Sequence, residues 1–160
     1  MSADEDPWFT GGGKRLSFSE VVNIIREHAE RNGKVTVGTD SATKKAICQF
    51  ATSICLVSAD NQMGGRFFVK KTNYKSKKFA TIHQRITLEV TRSIGTGLKI
   101  LKHCPGVPVE LHLDVSGVEK GTKTSKLSTA LMGYANGSGF ECKIKPEAYA
   151  ATSVANKYSK

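Results

Sequence analysis

The chain has 160 residues, enough for one domain with a proper core and too few for two comfortable ones. Its hydrophobic content of 39% is ordinary for a globular protein, and no apolar run approaches the roughly 20 residues that span a bilayer. The formal charge is +10 and unevenly placed: Asp4, Glu5 and Asp6 stand in the first 13 residues without a base, leaving 24 bases against 11 acids in the rest. A field of that sign attracts polyanions, so nucleic acid is the expected partner and a membrane is not.

The N-terminus MSADEDPWF lacks the basic-then-apolar pattern of a signal peptide, and a cytoplasmic location is expected. Cys48, Cys55, Cys104 and Cys142 show no C-x-x-C spacing and no zinc pattern with histidine, which fits free thiols in a reducing compartment. Residues 1–16, with GGGKR, read as a tail whose Trp8 and Phe9 dock on the domain, and residues 17–160 as that single domain.

A helix is predicted over 18–31. Ser17 and Glu20 have capping-box spacing, Phe18, Val21, Val22, Ile25 and Ala29 make one apolar face, and Gly33 is a stop. A first strand follows over 34–40, with Val35, Val37 and Thr39 on one face and Thr36, Gly38 and Asp40 on the other. Strands over 46–57 and 65–71, joined by a short turn, continue as an antiparallel meander. The basic stretch KKTNYKSKK comes next. Lys70, Lys71, Lys75, Lys77 and Lys78 are candidates to neutralise phosphates, and Tyr74 to stack on a base.

A long helix over 78–103 has its apolar stripe at Ile82, Ile86, Val90, Ile94 and Leu98, with Glu89 on the flank. Gly95 and Gly97 weaken this helix or let it pack closely. A fourth strand over 109–115 puts Glu110, His112 and Asp114 on one face, where His112 is a candidate for proton transfer or a structural partner. The loop from Gly117 carries Lys120, Lys123 and Lys126 before a helix over 126–136. Its glycines are too close for a phosphate-loop motif, so nucleotide hydrolysis is disfavoured, but the lysines are candidates to hold a nucleic-acid phosphate. A fifth strand over 140–145 and a helix over 148–158 complete the chain. The pattern is that of a mixed α/β sheet.

Three acids carry chemistry: Asp40 and Asp114 on strands, Glu89 on the helix between them. Two-metal hydrolysis of a phosphodiester uses hard cations held by carboxylate oxygens, one carboxylate bridging the ions. Asp40, on a rigid central strand, is the candidate bridge, and Glu89 and Asp114 each complete one side. Without metal, acids this close raise one another's pKa. Ser41 is placed to bond the metal shell but has no evident base to make it a nucleophile.

The order strand–Asp, helix–Glu, strand–Asp resembles that of ribonuclease H-like enzymes. KIKPEAYAATSVANKYSK at the C-terminus resembles the tract IKPDAYAASSVADK of the YkuK-type proteins, a ribonuclease H-like family. WFTGGGKRLSFSEVV, VGTDS around Asp40 and LHLDVS around Asp114 extend the resemblance over nearly the whole chain. It implies a ribonuclease H-like fold with a five-stranded mixed sheet and helices on both faces. It also implies a nuclease-type site at Asp40, Glu89 and Asp114 using Mg²⁺ or Mn²⁺. At the fourth position the family has an aspartate and this chain has Asn156. Glu147 stands where the family prefers aspartate and is the acid that could compensate.

Proofreading exonucleases on this fold carry D-x-E on the first strand, whereas this chain reads Asp40, Ser41, Ala42, so a resolvase-like or endonuclease site is expected. The leading expectation is a metal-dependent nuclease acting on RNA, RNA–DNA hybrid or branched DNA. The alternative is a nucleic-acid-binding protein that keeps the fold without turnover.

Overall fold

A computed structural model describes residues 6–115, 125–145 and 147–159. The expected loop lysines Lys120 and Lys123, and the side chain of Lys126, lie outside the described residues.

Among the described residues the sheet has seven strands, in the order β2-β1-β5-β4-β3-β6-β7. They are β1 (Trp8–Thr10), β2 (Arg15–Leu16), β3 (Lys34–Lys44), β4 (Ile47–Val57), β5 (Arg66–Lys75), β6 (Val109–His112) and β7 (Glu141–Lys143). The five expected strands are all present. The two extra ones come from the segment read as a tail: Trp8–Thr10 adds to the edge of β5, and Arg15–Leu16 folds back on it across the glycines. Strands this short and glycine-flanked show little period of their own; their stability comes from the edge they cover.

The helices are α1 (Phe18–Glu30), α2 (Ile82–His103), α3 (Ser125–Gly137) and α4 (Asn156–Ser159), the last preceded by a π-helical stretch, Ala150–Ala155. Ser17 and Glu20 close the expected capping box on α1. α2 starts four residues later than its periodicity predicts, because Thr81 and Gln84 form a second capping box there and Ser76–Lys78 turns as a 3₁₀ helix.

α1, α2 and α3 share one core with the sheet, centred on Val21, Ile25, Val37, Ile54, Phe68 and Leu111. The C-terminal helical segment covers the other face, over Ala51 and Val69. No helix among the described residues is long and apolar enough to cross a membrane.

β3 pairs antiparallel with β4 and parallel with β6, the crossover running through α2. The β3–β6 pairing ends at Gly38↔His112. Beyond it, Leu113 N–H donates to Lys143 O and Val115 O accepts from Lys145 N–H, with Asp114 between the two.

Gly97 is where α2 meets the sheet. A Cβ there would lie 2.8 Å from the Phe140 ring and 3.5 Å from Leu111, whereas one at Gly95 meets nothing within 4 Å. Gly97→Ala therefore lowers the melting temperature, since overpacking costs about 1–3 kcal/mol and helix propensity returns at most about 1. Gly95→Ala raises it, by up to about 1 kcal/mol of stability. Thermal melts of the two variants check the contrast.

Candidate active site

Carried two residues past Gly38↔His112, the parallel register sets Asp40 beside Asp114 on one face of the sheet. Their carboxyls come within hydrogen-bond reach of each other. The Ser159 hydroxyl donates to Asp40 Oδ2 at 3.0 Å, and Lys145 Nζ lies 3.0 Å from Asp114 Oδ1. Asp40 is 8% exposed. Burial and the neighbouring Asp114 carboxyl push its pKa up to about 6, against the smaller pull of Ser159 and the Ser41 amide.

Glu89 approaches from the opposite face. Along β3, Thr39 and Ser41 point toward α2, and Ser41 Oγ donates to Glu89 Oε2 at 2.6 Å. Thr39 bonds Ser93 one turn further along the helix. Glu89 is 5% exposed, and burial drives its pKa up to about 8; the charges of Asp40 and Asp114 add to the rise, while Ser41 and Arg85 oppose it. Glu89 thus keeps its proton at neutrality, whereas Asp40 gives its proton up about a pH unit below it.

Among the described residues no three acids, histidines or cysteines stand together closely enough to hold an ion. The cause is visible in the hydrogen bonds: Glu89 is turned onto Ser41, and Asp114 leans to Lys145. The arrangement is a carboxyl pair with a third acid across the strand.

The fourth-position residues sit apart. Asn156 is half-buried on α4, and its backbone carbonyl, not its side-chain amide, accepts from the Ser159 hydroxyl. Glu147 is exposed. From this C-terminal segment it is Ser159 that reaches Asp40. Sequence reading missed Ser159 and Lys145. The register of β3 and β6 was the available signal for the aspartate pair, but neither helper has one.

His112 is 1% exposed and fully engaged. The Ala150 amide donates to its Nδ1 at 3.1 Å, which leaves Nε2 to donate to Glu110 Oε1 at 2.8 Å. Tyr149 packs edge-on against its ring and receives the Thr36 hydroxyl. Burial pulls the imidazole pKa down, in part against Glu110, so His112 is a neutral clasp for the C-terminal segment.

The basic stretch is split by the strand it belongs to. Lys70 and Thr72 point into the structure; Lys71, Asn73 and Lys75 are exposed. Lys70 is 5% exposed, its ammonium over the Trp8 ring, so it does not face solvent as a phosphate contact would. Tyr74 is also committed: it packs against Phe50 and Phe79, receives a bond from Arg92, and lies under Lys78. Register places Lys71 in line with Ala51 and Asp40, and Lys75 in line with Ile47 and Lys44, on the aspartate face. Lys77 is exposed on the turn that follows. Beside Ser159 a recess of about 690 Å³ opens between Ala42, Lys44, Ile47 and Gln49.

A family model described as Ribonuclease H-like matches residues 17–160. The uncharacterized protein YkuK of Bacillus subtilis (strain 168) is 24% identical over 177 residues, covering 99% of this chain and 99% of its own length. No solved structure shows a significant match. With the mixed sheet, the crossover through α2 and this near-complete coverage, the chain belongs to the ribonuclease H-like family, as a YkuK-type member.

Proposed function

We propose that this protein is a metal-dependent nuclease or resolvase-like phosphodiesterase acting on RNA, RNA–DNA hybrid or branched DNA. The observation that carries the reading is the Asp40–Asp114 pair, two carboxyls in mutual reach, Asp40 within β3 and Asp114 two residues past the end of the adjacent parallel strand β6, with Glu89 across β3. Like charges at that separation are unfavourable alone, and the Asp114 carboxyl adds to burial in raising the pKa of Asp40. The donor set, all carboxylate oxygen, fits a hard divalent cation such as Mg²⁺ or Mn²⁺.

Asp40 and Asp114 would hold the ion, and Glu89 would join by turning away from Ser41. When bound, such a cation lowers the pKa of a water and offsets charge on the phosphate. The chain's own residues supply the orientation. Ser159 fixes one Asp40 oxygen, Lys145 fixes one Asp114 oxygen, and Ser41 parks Glu89. Lys44, Lys71 and Lys75 flank the same face and are suited to backbone phosphates.

The second reading, a nucleic-acid-binding protein without turnover, draws on Asn156 and on the lack of a three-acid group among the described residues. Calorimetric titration with Mn²⁺ separates the two at their root. The nuclease reading expects saturable binding that Asp114→Asn weakens at least about 10-fold, the effect of losing roughly 1.4 kcal/mol at a carboxylate ligand. Binding that is absent, or indifferent to Asp114, favours the second reading.

A further inference from the structure

The recess beside Ser159 lies at the hairpin end of the aspartate face. Its volume, about 690 Å³, falls in the range of roughly 300–1,000 Å³ common to small-molecule sites. Ala42 and Lys44 of β3, Ile47 and Gln49 of β4, and Ser159 line it. Ser159 also donates to Asp40, so the recess and the candidate active site share a wall.

Register lays out the surface between them. On the aspartate face Asp40, Ala51 and Lys71 form one row, Ala42, Gln49 and Asn73 the next, and Lys44, Ile47 and Lys75 the last. Asp40 and Lys44 are four residues apart along β3, about 13 Å. In the last row an isoleucine stands between two lysines whose backbones are about 10 Å apart, two strand spacings. Ile47 is 44% exposed, an apolar surface left open. Gln49 is held by its amide: Nε2 donates to the carbonyls of Tyr158 at 2.9 Å and Ser159 at 3.3 Å. Its Oε1 receives no bond among the described residues.

The charge here is of one sign. Asp60 is the one acid between Asp40 and Glu89 in sequence, against nine lysines and arginines. It lies past the far end of β4, where it takes the Asn32 amide. Lys44, Lys45 and Lys75 are exposed, and the ion pairs among the described residues lie elsewhere, on Glu110 and Asp114. Lys45, at the two-residue hairpin tip, holds φ 58°, in the left-handed region that favours glycine. Ser76 braces the tip, its amide donating to Ala46 O at 2.8 Å and its hydroxyl to Lys45 O at 3.2 Å. A lysine kept in a strained turn and braced from the next strand has a use for its charge.

An apolar floor, one open acceptor and a cationic rim match the parts of a nucleotide: the face of the base, an N–H on its edge, and the phosphates. A base enters such a recess only after leaving its helical stack, which costs least in a strand already unpaired.

We propose that this recess seats one unpaired nucleotide of a strand that crosses Asp40, with Ile47 under the base, Gln49 Oε1 at its edge, and Lys44 and Lys75 at its phosphates. The proposal deepens the nuclease reading and rests on it for one point, that the neighbouring phosphate at Asp40 is the scissile one. Of the candidate substrates it selects single-stranded RNA, or a branch with an unpaired nucleotide, over a continuous RNA–DNA hybrid.

The test is fluorescence anisotropy of the full-length protein with labelled single-stranded RNA and with the blunt RNA–DNA hybrid of the same sequence, in chelator. Ile47→Asp is expected to weaken binding of the single strand by about 10-fold or more. Met63→Asp makes the same change of charge at a side chain that is 97% exposed in the β4–β5 turn, and is expected to have a much smaller effect. Ile47→Tyr is expected to tighten the single strand by about 5-fold or more, through stacking on the base, and to leave the hybrid unchanged. It answers for the site even if Ile47→Asp disturbs the fold, since tyrosine suits a strand.

Equal weakening by Ile47→Asp and Met63→Asp, with no gain from Ile47→Tyr, reduces the effect to net charge and overturns the proposal. A hybrid that follows the Ile47 variants as the single strand does overturns it too, because the nucleotide is then paired. All titrations run in chelator, so they read the recess whether or not the protein cuts. Failure of the nuclease reading shows separately, as substrate left intact in Mg²⁺ and Mn²⁺.

Discussion

Asp40→Asn is expected to reduce metal-dependent strand cleavage by at least about 10³-fold, equivalent to roughly 4 kcal/mol of transition-state stabilisation. The same variant is expected to melt at a higher temperature than the wild type in metal-free buffer. The asparagine keeps an oxygen for the Ser159 hydroxyl and removes the buried carboxyl of a pair that repel each other. Loss of activity with gain of stability is the signature of a site strained for function. A variant that lost activity because it unfolded would show the reverse shift, and a melt run beside the cleavage assay tells them apart.

Glu89→Gln has the larger consequence for stability. The native carboxyl has a pKa near 8 in place of its ordinary 4.5, chiefly through burial. Between those values the folded protein keeps a proton that the unfolded chain has released, so stability is lost as pH rises through the window and levels off above it. The loss attributable to this group is on the order of 4–5 kcal/mol at most. The glutamine keeps an acceptor for Ser41 and cannot ionise. Its advantage over the wild type is therefore small near pH 5 and large near pH 9. Urea denaturation of both proteins at the two pH values, without divalent cation, measures it. An equal gap at both pH values would mean that Glu89 is not a buried acid. Added Mn²⁺ is expected to recover the wild type at high pH and to leave the variant little changed, since an ion stabilises the state that binds it.

Much of this architecture was legible from local pattern. Ser17 and Glu20 marked the start of α1, and the alternation of Val35, Val37 and Thr39 against Thr36, Gly38 and Asp40 put the aspartate on the face it occupies. β5 was legible only in part. Its last four residues, Thr72–Lys75, lie beyond the predicted 65–71, because the end of the strand is polar and hydropathy hid a period of two that burial shows plainly, with Lys70 and Thr72 in and Lys71 and Asn73 out. Lysine stems cover apolar surface while their charge counts as polar, and Lys70 over Trp8 is such a case.

The site divides in the same way. That Asp40 and Asp114 meet follows from parallel strands in register, a relation between two short motifs. That Ser159 and Lys145 steer them, or that Ser41 holds Glu89 aside, depends on where separate elements come to rest. The C-terminal segment is set by His112, which clasps Ala150, and by Ser53, which donates to the Ala150 carbonyl at 2.6 Å. Sequence showed the histidine; its partner is a backbone amide 38 residues away, which no side-chain pattern announces.

The central claim is that Asp40, Asp114 and Glu89 together form a metal-dependent phosphodiesterase site. It is tested most directly by incubating labelled single-stranded RNA, RNA–DNA hybrid, duplex DNA and a four-way junction with the wild type and with Asp40→Asn, in Mg²⁺, in Mn²⁺ and in chelator. The account predicts cleavage of RNA, hybrid or junction by the wild type, only with a divalent cation and not by Asp40→Asn. Substrates that are bound by both proteins and left intact under every condition would contradict it and establish a binding protein on this fold.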